Sequence, residues 1–300
     1  MDTLIEPVSS PYLVPFDGVF ALDRSPTKPA EKQDKKQNEA ALEELGARLV
    51  KLQAKLYAHD HYAVLLVFQA MDAAGKDGTI KAVMSGVNPT GCQVYSFKAP
   101  TEHELGHDFL WRVQRCLPER GRIGVFNRSH YEEVLVVRVN PRFLEAQHLP
   151  RRPATLEGLW QERYESIRDA EKHWARNGMV ILKFWLNVSP DEQRKRLLDR
   201  IDDPKGNWKF EAGDLKARAQ WSDYMTAYQA ALSATSRPWA PWYAIPADNK
   251  AYMRRTVAEI VVGAFERLTL HYPEVSAEER LAMLELRKQL VAEGGGGDRE

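Results

Sequence analysis

One segment of the sequence, AVLLVFQAMDAAGKDGTIK at residues 63–81, combines an apolar run with a loop of small residues that ends in a lysine. The apolar run predicts a buried strand, and a helix is expected to begin near Asp77. A loop in this position binds phosphate, because its backbone N–H groups and the helix N-terminus face phosphate oxygens while the lysine adds positive charge. We therefore predict a phosphate-binding loop with Lys76 as its cation and a backbone cradle formed by Ala73, Ala74 and Gly75.

The loop departs at two positions from the usual pattern, Gly-x-x-x-x-Gly-Lys followed by Ser or Thr. Ala70 replaces the first glycine, which is tolerable if φ stays negative there, and Asp77 replaces the hydroxyl residue that ordinarily binds Mg²⁺. A magnesium ion must then find its ligand elsewhere, and Asp72 inside the loop is the obvious candidate. The alternative is that Gly75 and Lys76 merely form a turn into a helix, but the strand context favours a phosphate site.

A second candidate lies in GRIGVFNRSHYEE, residues 121–133, where an apolar strand ends at Asn127 and Arg128. Proteins with a phosphate-binding loop usually carry an acid at the end of a neighbouring strand, for Mg²⁺ or its water. Here Asn127 can offer a carbonyl oxygen without a charge. Arg128 can bind phosphate bidentately, although a surface arginine is the alternative. Glu133 either orients Mg²⁺-bound water or a basic residue, or belongs with Glu132 to a solvated helix face.

The third candidate is the stretch from Arg194 to Arg218, which holds eight Lys and Arg residues against five Asp and Glu residues. Arg196 and Arg200 are four residues apart and share a helix face. A helix, a turn and a returning helix can form a lid that closes arginines over phosphates and excludes water. A solvated charged hairpin is the alternative.

Composition and charge narrow the class of protein. The 300 residues include 42 Lys and Arg against 42 Asp and Glu, so the formal net charge is zero. Zero net charge argues against bulk affinity for nucleic acid or for an anionic membrane, yet it leaves room for a local basic groove. Cys92 and Cys116 show no CxxC spacing, and the N-terminus has neither a basic nor an apolar signal region. We therefore expect a cytoplasmic protein without a disulfide framework.

The remaining pattern supplies the elements that hold these groups. Short apolar runs alternate with helical periodicity, which is typical of βαβ units and predicts an α/β fold with a parallel sheet. The predicted strands are 63–69, 93–97, 122–126, 179–186 and 242–245. The predicted helices are 37–58, 78–85, 102–116, 159–177, 190–200, 214–234, 250–268 and 276–291.

The same pattern predicts three parts of the chain. A proline-rich arm, residues 1–36, should lie on or near the body. The main domain, residues 37–273, includes the lid at about 194–218. Residues 274–300 should form a C-terminal helix followed by a disordered tail, GGGGDRE.

Taken together, these motifs resemble the second family of polyphosphate kinases, and in particular its class III, whose members act on both AMP and ADP. The resemblance covers roughly residues 11–273 and lies in QAMDAAGKDGTIK (69–81), GVNPTGCQV (86–94), SFKAPTEHEL (96–105) and the stretches 110–132, 183–210 and 240–250. Ala70, Asp77 and Asn127, which depart from a generic phosphate-binding-loop protein, match the class III form.

The resemblance implies a P-loop kinase fold like that of thymidylate kinase, a three-layer α/β/α arrangement with a helical lid. It implies Mg²⁺-dependent transfer of the terminal phosphate of inorganic polyphosphate to AMP or ADP, and a homo-oligomer. The family's loop acid and lysine correspond to Asp72 and Lys76, and its second-strand pair corresponds to Asn127 and Arg128. Its lid arginines correspond to Arg194, Arg196 and Arg200, and Lys81 and Lys98 fall on basic positions of the family. We therefore expect Asp72, Lys76 and Arg128 to be catalytic, and Asn127, Glu133 and Asp77 to bind the nucleotide. The expected metal ligands are Asp72 and Asn127, the latter directly or through water.

Two other functions fit the same motifs. One is an ATP-dependent nucleoside or nucleotide kinase of the same fold. The other is a nucleotide-binding module that does not turn over. The arginines of the lid argue against the module, because a protein that only binds does not need charge around a transferring phosphoryl group.

Overall fold

The computed structural model describes residues 3–210 and 212–294, which fold around one five-stranded sheet. The strands are β1 (Ala63–Gln69), β2 (Cys92–Ser96), β3 (Ile123–Asn127), β4 (Met179–Asn187) and β5 (Trp242–Pro246). Their order is β2–β3–β1–β4–β5, and every neighbouring pair is parallel. This confirms the predicted α/β fold. β1 has the predicted bounds, and the other strands differ from them by one residue at one or both ends.

Helices connect the strands and continue beyond the sheet. Within the described residues no helix has both the length and the apolar character needed to cross a bilayer. The predicted disordered tail begins at Gly294, and its residues 295–300 lie outside the described part of the chain. The α-helices are α1 (Lys35–His59), α2 (Lys76–Val83), α3 (Glu102–Leu105), α4 (Trp111–Gln114), α5 (Val136–Val139), α6 (Leu156–Arg176), α7 (Pro190–Asp202), α8 (Ala212–Ala219), α9 (Trp221–Thr235), α10 (Lys250–Glu266) and α11 (Ala277–Gly294).

The helices cover both faces of the sheet, so the fold has three layers. α1 and α2 pack against α10 on one face, and α6 packs against α9 on the other. Successive side chains of a strand point to opposite faces of the sheet, so the contacts of three consecutive residues in β4 identify both layers. Phe184 stacks between Phe68 and Tyr243, whereas Lys183 and Trp185 on either side of it contact α6 and α9.

Two helices that the sequence predicts as continuous are each divided, so these predictions are wrong. The predicted helix 102–116 stops at Leu105 and resumes at Trp111. The cause is Asp108, whose carboxylate accepts a hydrogen bond from the Leu110 backbone N–H (2.9 Å) and so competes with helical bonding. The predicted helix 214–234 divides at Gln220, whose N–H is shared between two carbonyl oxygens of the preceding turn.

The N-terminal residues pack along the outer edge of the sheet. Leu13 pairs with Tyr243 of β5 in the antiparallel sense. The Val14 N–H donates to the Trp242 carbonyl (2.9 Å), and the Tyr12 carbonyl accepts from the Ala244 N–H (2.8 Å). The arm therefore extends the sheet by a short stretch of backbone, which covers the free side of β5.

The centre of the sheet contains a buried charge. Lys183 in β4 donates from its ammonium group to the Glu171 carboxylate (2.6 Å), the Tyr131 hydroxyl (2.8 Å) and the Thr235 carbonyl (2.9 Å). Glu171 also accepts from the Tyr131 hydroxyl (2.9 Å) and lies 3.4 Å from His130 Nε2. These partners come from α6, α9 and the 3-10 helix His130–Val134, so one ammonium group links β4 to three other elements.

The surroundings of this group set its protonation. Burial lowers the pKa of Lys183 to about 8, although Glu171 favours the ammonium form. Burial also opposes ionisation of Glu171, but Lys183 and His130 outweigh this effect and hold the pKa of Glu171 below its ordinary value. Burial lowers the pKa of His130, so its imidazole is neutral at pH 7. At neutral pH the network therefore contains one buried ion pair.

Removal of the Lys183 ammonium leaves the Glu171 carboxylate buried without its partner. We expect Lys183→Met to lower the free energy of unfolding by about 3–5 kcal/mol, measured by urea denaturation. Lys35→Met is the matched control, because Lys35 and its partner Glu39 are 79% and 56% exposed. Its effect should stay within about 0.5 kcal/mol. Equal losses in the two variants would contradict this interpretation of the network.

The stability contribution of Lys183 should also depend on pH. Its pKa of about 8 in the folded chain lies below the ordinary value of 10.5. Between these values the unfolded chain binds more protons at this position, so the contribution rises with pH there and is constant below about pH 8. The difference in unfolding free energy between the unmodified chain and Lys183→Met should therefore increase when urea denaturation is repeated from pH 8 to 10. A flat or falling difference would refute this expectation.

Candidate active site

The loop between β1 and α2 presents its backbone to an anion. Gly75, the residue before α2, has a φ of 108°, which glycine adopts without strain. Ala73 has a φ of 60°, a costly value for a residue with a Cβ atom. No side chain in the described part of the chain caps the N-terminus of α2, so its first N–H groups remain donors. This is the arrangement with which helix N-termini bind phosphate.

Lys76 lies buried inside this loop. Its ammonium group donates to the carbonyl oxygens of Ala70 (2.9 Å) and Met71 (3.4 Å). Burial lowers the pKa of Lys76, and neighbouring carboxylates oppose that shift. A phosphate in the loop would add negative charge beside an ammonium group that is already shielded from water, where Coulombic attraction is strong. The charged side chains that act on Lys76 are Asp72, Arg128, Glu132 and Asp77.

Arg128 follows β3 and lies across the mouth of the loop. Its backbone has a left-handed φ of 62°, and its N–H donates to the Phe68 carbonyl (3.0 Å). Its guanidinium donates to Asp72 Oδ1 (2.8 Å) and lies 3.6 Å from Glu132, which in turn accepts from Gln69 (2.9 Å). Glu132 first, and then Asp72, raise the pKa of Arg128. A strained backbone thus holds a permanent cation against the acid of the loop.

Asn127 and Asp77 meet beside the loop. The Asn127 amide nitrogen donates to Asp77 Oδ1 (2.7 Å) and to the Ser96 hydroxyl at the end of β2 (3.4 Å). The ends of β1, β2 and β3 therefore carry polar groups at the carboxyl edge of the sheet, where open α/β sheets bind ligands. Because the amide nitrogen is engaged, the carbonyl oxygen of Asn127 is the atom that can face a cation or its water.

The oxygen atoms around the loop suit a magnesium ion that arrives with a phosphate. Asp72, Asp77 and Asn127 offer the carboxylate and carbonyl oxygens that Mg²⁺ prefers. Over residues 3–210 and 212–294, no three His, Cys, Asp or Glu side chains converge closely enough to hold a metal ion by themselves. Mg²⁺ commonly takes one or two carboxylates and fills its remaining positions with water and substrate phosphates. The residues present fit that mode of binding.

Two side chains of α7 donate hydrogen bonds to backbone carbonyl oxygens of the phosphate-binding loop. Gln193 donates to the Asp72 carbonyl (3.0 Å), and Arg196 donates to the Ala74 carbonyl (2.7 Å). The other terminal nitrogen of Arg196 donates to the Ala247 carbonyl after β5 (2.6 Å). Arg196 is only 6% exposed. The structure therefore shows Arg196 positioning the loop, and the phosphate contact predicted for it would require these bonds to break.

The other predicted phosphate-binding side chains stand around the loop. Lys81 on α2 and Lys98 after β2 are exposed. Arg194 is 64% exposed and pairs with an acid of its own helix (3.5 Å), while Arg200 pairs with Asp214 of α8 (3.2 Å). Their roles in phosphate binding remain predictions.

Glu133, predicted to bind the nucleotide, lies apart from the loop. Its buried carboxylate accepts from Arg163 (3.0 Å) and Gln147 (2.7 Å). It lines a small cavity of about 110 Å³ together with Phe109. The adjacent Glu132 faces the loop instead, because the 3-10 helix turns consecutive side chains in different directions. The sequence did not distinguish these two carboxylates.

A cavity of about 270 Å³ opens beside Asp72 and Arg128, and sequence reasoning missed its far wall. That wall contains Arg142, Lys216 and Tyr224. Burial raises the pKa of Tyr224 to about 12, with smaller contributions from nearby carboxylates, so its hydroxyl is protonated at neutral pH. Lys216 belongs to the basic stretch 194–218 but was not singled out there. Arg142 and Tyr224 lie outside the candidate segments, and only their charge or aromatic character could have suggested them.

Residues at the start of α10 also reach the loop, and they too were missed. Arg254 lies over Gly78, where a Cβ atom would come within 2.9 Å of its guanidinium. The contact places Arg254 beside the first turn of α2, and the end of this flexible side chain can shift to make room for a larger residue. Burial, followed by the charges of Arg196 and Arg254, lowers the pKa of Lys250. For Lys250 the signal in the sequence was the stretch 240–250 of the resemblance, which ends at this residue and to which no role was assigned.

Comparisons with known proteins agree with this geometry. The polyphosphate kinase 2 family profile matches residues 32–272. The ADP-polyphosphate phosphotransferase of Rhodopseudomonas palustris is 54% identical over 244 residues, which cover 81% of this chain and 84% of that protein. The AMP/ADP-polyphosphate phosphotransferase of Meiothermus ruber is 46% identical over 277 residues, which cover 91% of this chain and 98% of that protein.

A solved structure extends the similarity to the fold. The crystal structure of polyphosphate kinase 2 from Arthrobacter aurescens TC1 superposes with a TM-score of 0.80 at 39% identity. The match covers 89% of this chain and 93% of that one. It confirms the P-loop-kinase-like α/β fold that the motifs implied. The chain therefore belongs to the polyphosphate kinase 2 family.

Proposed function

We propose that this protein transfers the terminal phosphate of inorganic polyphosphate to AMP and ADP, forming ADP and ATP, with Mg²⁺ as its cofactor. The observation that carries the proposal is the contact between Arg128 and Asp72 (2.8 Å) in front of an uncapped helix N-terminus, beside the buried Lys76. These groups stabilise charge on a transferring phosphoryl group. The names of the two relatives, from Rhodopseudomonas palustris and Meiothermus ruber, support AMP and ADP as acceptors.

The reaction exchanges one phosphoanhydride bond for another. An oxygen of the acceptor's terminal phosphate attacks the terminal phosphorus of polyphosphate, and the bond to the next phosphate breaks. The leaving group is polyphosphate shortened by one unit. Such transfer depends on in-line positioning and neutralised charge more than on covalent help from the protein.

The residues of the loop have distinct tasks in this scheme. The N–H groups at the start of α2 and the Lys76 ammonium bind oxygens of the transferring phosphoryl group. Arg128 binds oxygens on both sides of the breaking bond, and Asp72 orients the attacking oxygen. That oxygen is already anionic in AMP or ADP, so a strong general base is not required. When bound, Mg²⁺ would be held by Asp72 and by Asn127, directly or through water, and would supply Lewis-acid charge neutralisation.

Cations flank the loop on two sides, which suits two highly charged substrates. Arg142 and Lys216 line the larger cavity. Lys250 and Arg254 lie on the other side, near the start of α2. The proposal includes a lid formed by α7 and α8. When this lid closes, Arg194 and Arg200 turn towards phosphate. The cytoplasmic location and the homo-oligomeric state stay predictions.

An assay without ATP tests the proposal directly. The protein is supplied with polyphosphate, Mg²⁺ and either AMP or ADP, and the nucleotides formed are separated by chromatography. We expect ADP from AMP and ATP from ADP. An ATP-dependent kinase would form neither product, and tight nucleotide binding without product would indicate a binding module.

Variants in the same assay test the assigned roles. Asp72→Asn and Lys76→Ala should each lower the rate by about 10²-fold or more, because each removes charge or orientation that acts in the transition state. Circular dichroism establishes that the variants fold. Asp169→Asn, an exposed position on α6, is the control and should keep full activity. Turnover near the unmodified rate in either loop variant would refute the assignment.

Polyphosphate binding should weaken as salt increases, because a polyanion releases counterions when cations bind it. We expect the KM for polyphosphate to rise between 50 and 300 mM KCl at constant Mg²⁺. Lys216→Ala should raise this KM about 3- to 10-fold and reduce its salt dependence, while Lys51→Ala on the exposed side of α1 should not. A KM that does not change with salt would argue against a basic groove.

A further inference from the structure

In the part of the chain that the structure describes, nothing covers a face of the C-terminal helix α11. Every side chain from Ala277 to Glu293 is exposed, including six large apolar ones. The helix nevertheless has a well-formed start, because Ser276 and Glu279 form a reciprocal capping box with hydrogen bonds of 2.9 and 3.2 Å. A helix of 18 residues that packs against nothing is marginal in water. A partner for α11 would supply the missing burial.

One stripe of α11 has the spacing of a coiled-coil seam. Ala277, Leu281, Leu284, Lys288 and Val291 follow one another at intervals of four, three, four and three residues. In heptad notation Leu281 and Lys288 occupy a positions, and the other three occupy d positions. Leu281, Leu284 and Val291 are 66%, 48% and 61% exposed. A single lysine at an a position is compatible with pairing and helps to set its register.

Acidic residues lie along one flank of this stripe, and basic residues lie along the other. Glu278 and Glu285 occupy the e positions, and Arg280 and Arg287 occupy the g positions. In a parallel pair of identical helices, a g residue of one chain faces the e residue five positions later in the other, so Arg280 would face Glu285 in both directions. In an antiparallel pair g would face g and e would face e, which places like charges together. The pattern is complementary to itself in the parallel orientation.

From this pattern we infer that α11 pairs with the α11 of a second copy of the chain as a short parallel coiled coil. Pairing removes Leu281, Leu284 and Val291 from water and places opposite charges on both flanks. The seam covers little more than two heptads, so the pairing adds to association of the main bodies or forms a modest dimer by itself. It does not depend on the proposed function, and it concerns residues beyond the part matched by the family profile.

Sedimentation of the full chain tests the seam with two matched variants. Leu284→Glu places a charge at a d position, whereas Leu286→Glu places the same charge at the f position on the opposite face. The two leucines are 48% and 57% exposed. We expect Leu284→Glu to raise the dissociation constant of self-association at least tenfold and Leu286→Glu to change it less than twofold. The reverse order of effects, or a single-copy mass of the unmodified chain at all concentrations, would overturn the inference.

Charge reversal and cross-linking test the orientation. Arg280→Glu should weaken association about 3- to 10-fold, and Glu285→Arg added to it should restore association, because the two positions face each other only in the parallel pair. In a background with Cys92 and Cys116 replaced by serine, Val291→Cys should form a disulfide-linked dimer on oxidation and Leu286→Cys should not. Failure of Val291→Cys to cross-link would overturn the parallel pairing, whatever the mass in solution.

Discussion

The geometry of the site depends on the buried ion pair between the Lys183 ammonium and the Glu171 carboxylate. Lys183 lies in β4 beside the central strand and bonds groups from α6, α9 and the 3-10 helix after β3. Its partner Tyr131 is three residues from Arg128. Tyr131 contacts the buried network, whereas Arg128 contacts Asp72 of the phosphate-binding loop. The left-handed backbone of Arg128 is thus held by contacts beneath it. Breaking the ion pair would leave a buried carboxylate unpaired, so a rearrangement of this network is costly.

The basic side chains near the site fall into two groups, those buried inside the fold and those that line an open cavity. Arg196 and Lys183 bond to backbone or buried carboxylate oxygen atoms inside the fold. Arg128, Arg142 and Lys216 line an open cavity where phosphate can reach them. A formal net charge of zero is therefore compatible with a local basic groove. What points to a polyanionic substrate is that Arg128, Arg142 and Lys216 lie together around one cavity beside the phosphate-binding loop.

Much of the fold could be predicted from the sequence, because buried strands and a phosphate-binding loop have local patterns. β1 was predicted residue for residue, and Asp72, Lys76, Asn127 and Arg128 lie together as their motifs implied. The rest depends on non-local partners. The charge of Arg196 suggested a phosphate, whereas its guanidinium bonds Glu192 on its own helix and the carbonyl oxygens of Ala74 and Ala247. Every residue carries a carbonyl oxygen, so no sequence pattern marks these two as partners. The cavity wall beyond Arg128 comes from elements that only the folded chain brings near.

The N-terminal arm has a consequence for solubility. A sheet that ends in an apolar edge strand exposes unpaired N–H and carbonyl groups, which can template the addition of a strand from another molecule. β5 is such a strand, since all five of its residues are buried. The backbone of Tyr12, Leu13 and Val14 occupies its free side in the antiparallel sense. The arm thereby occupies the backbone groups through which a strand from another molecule could pair with β5.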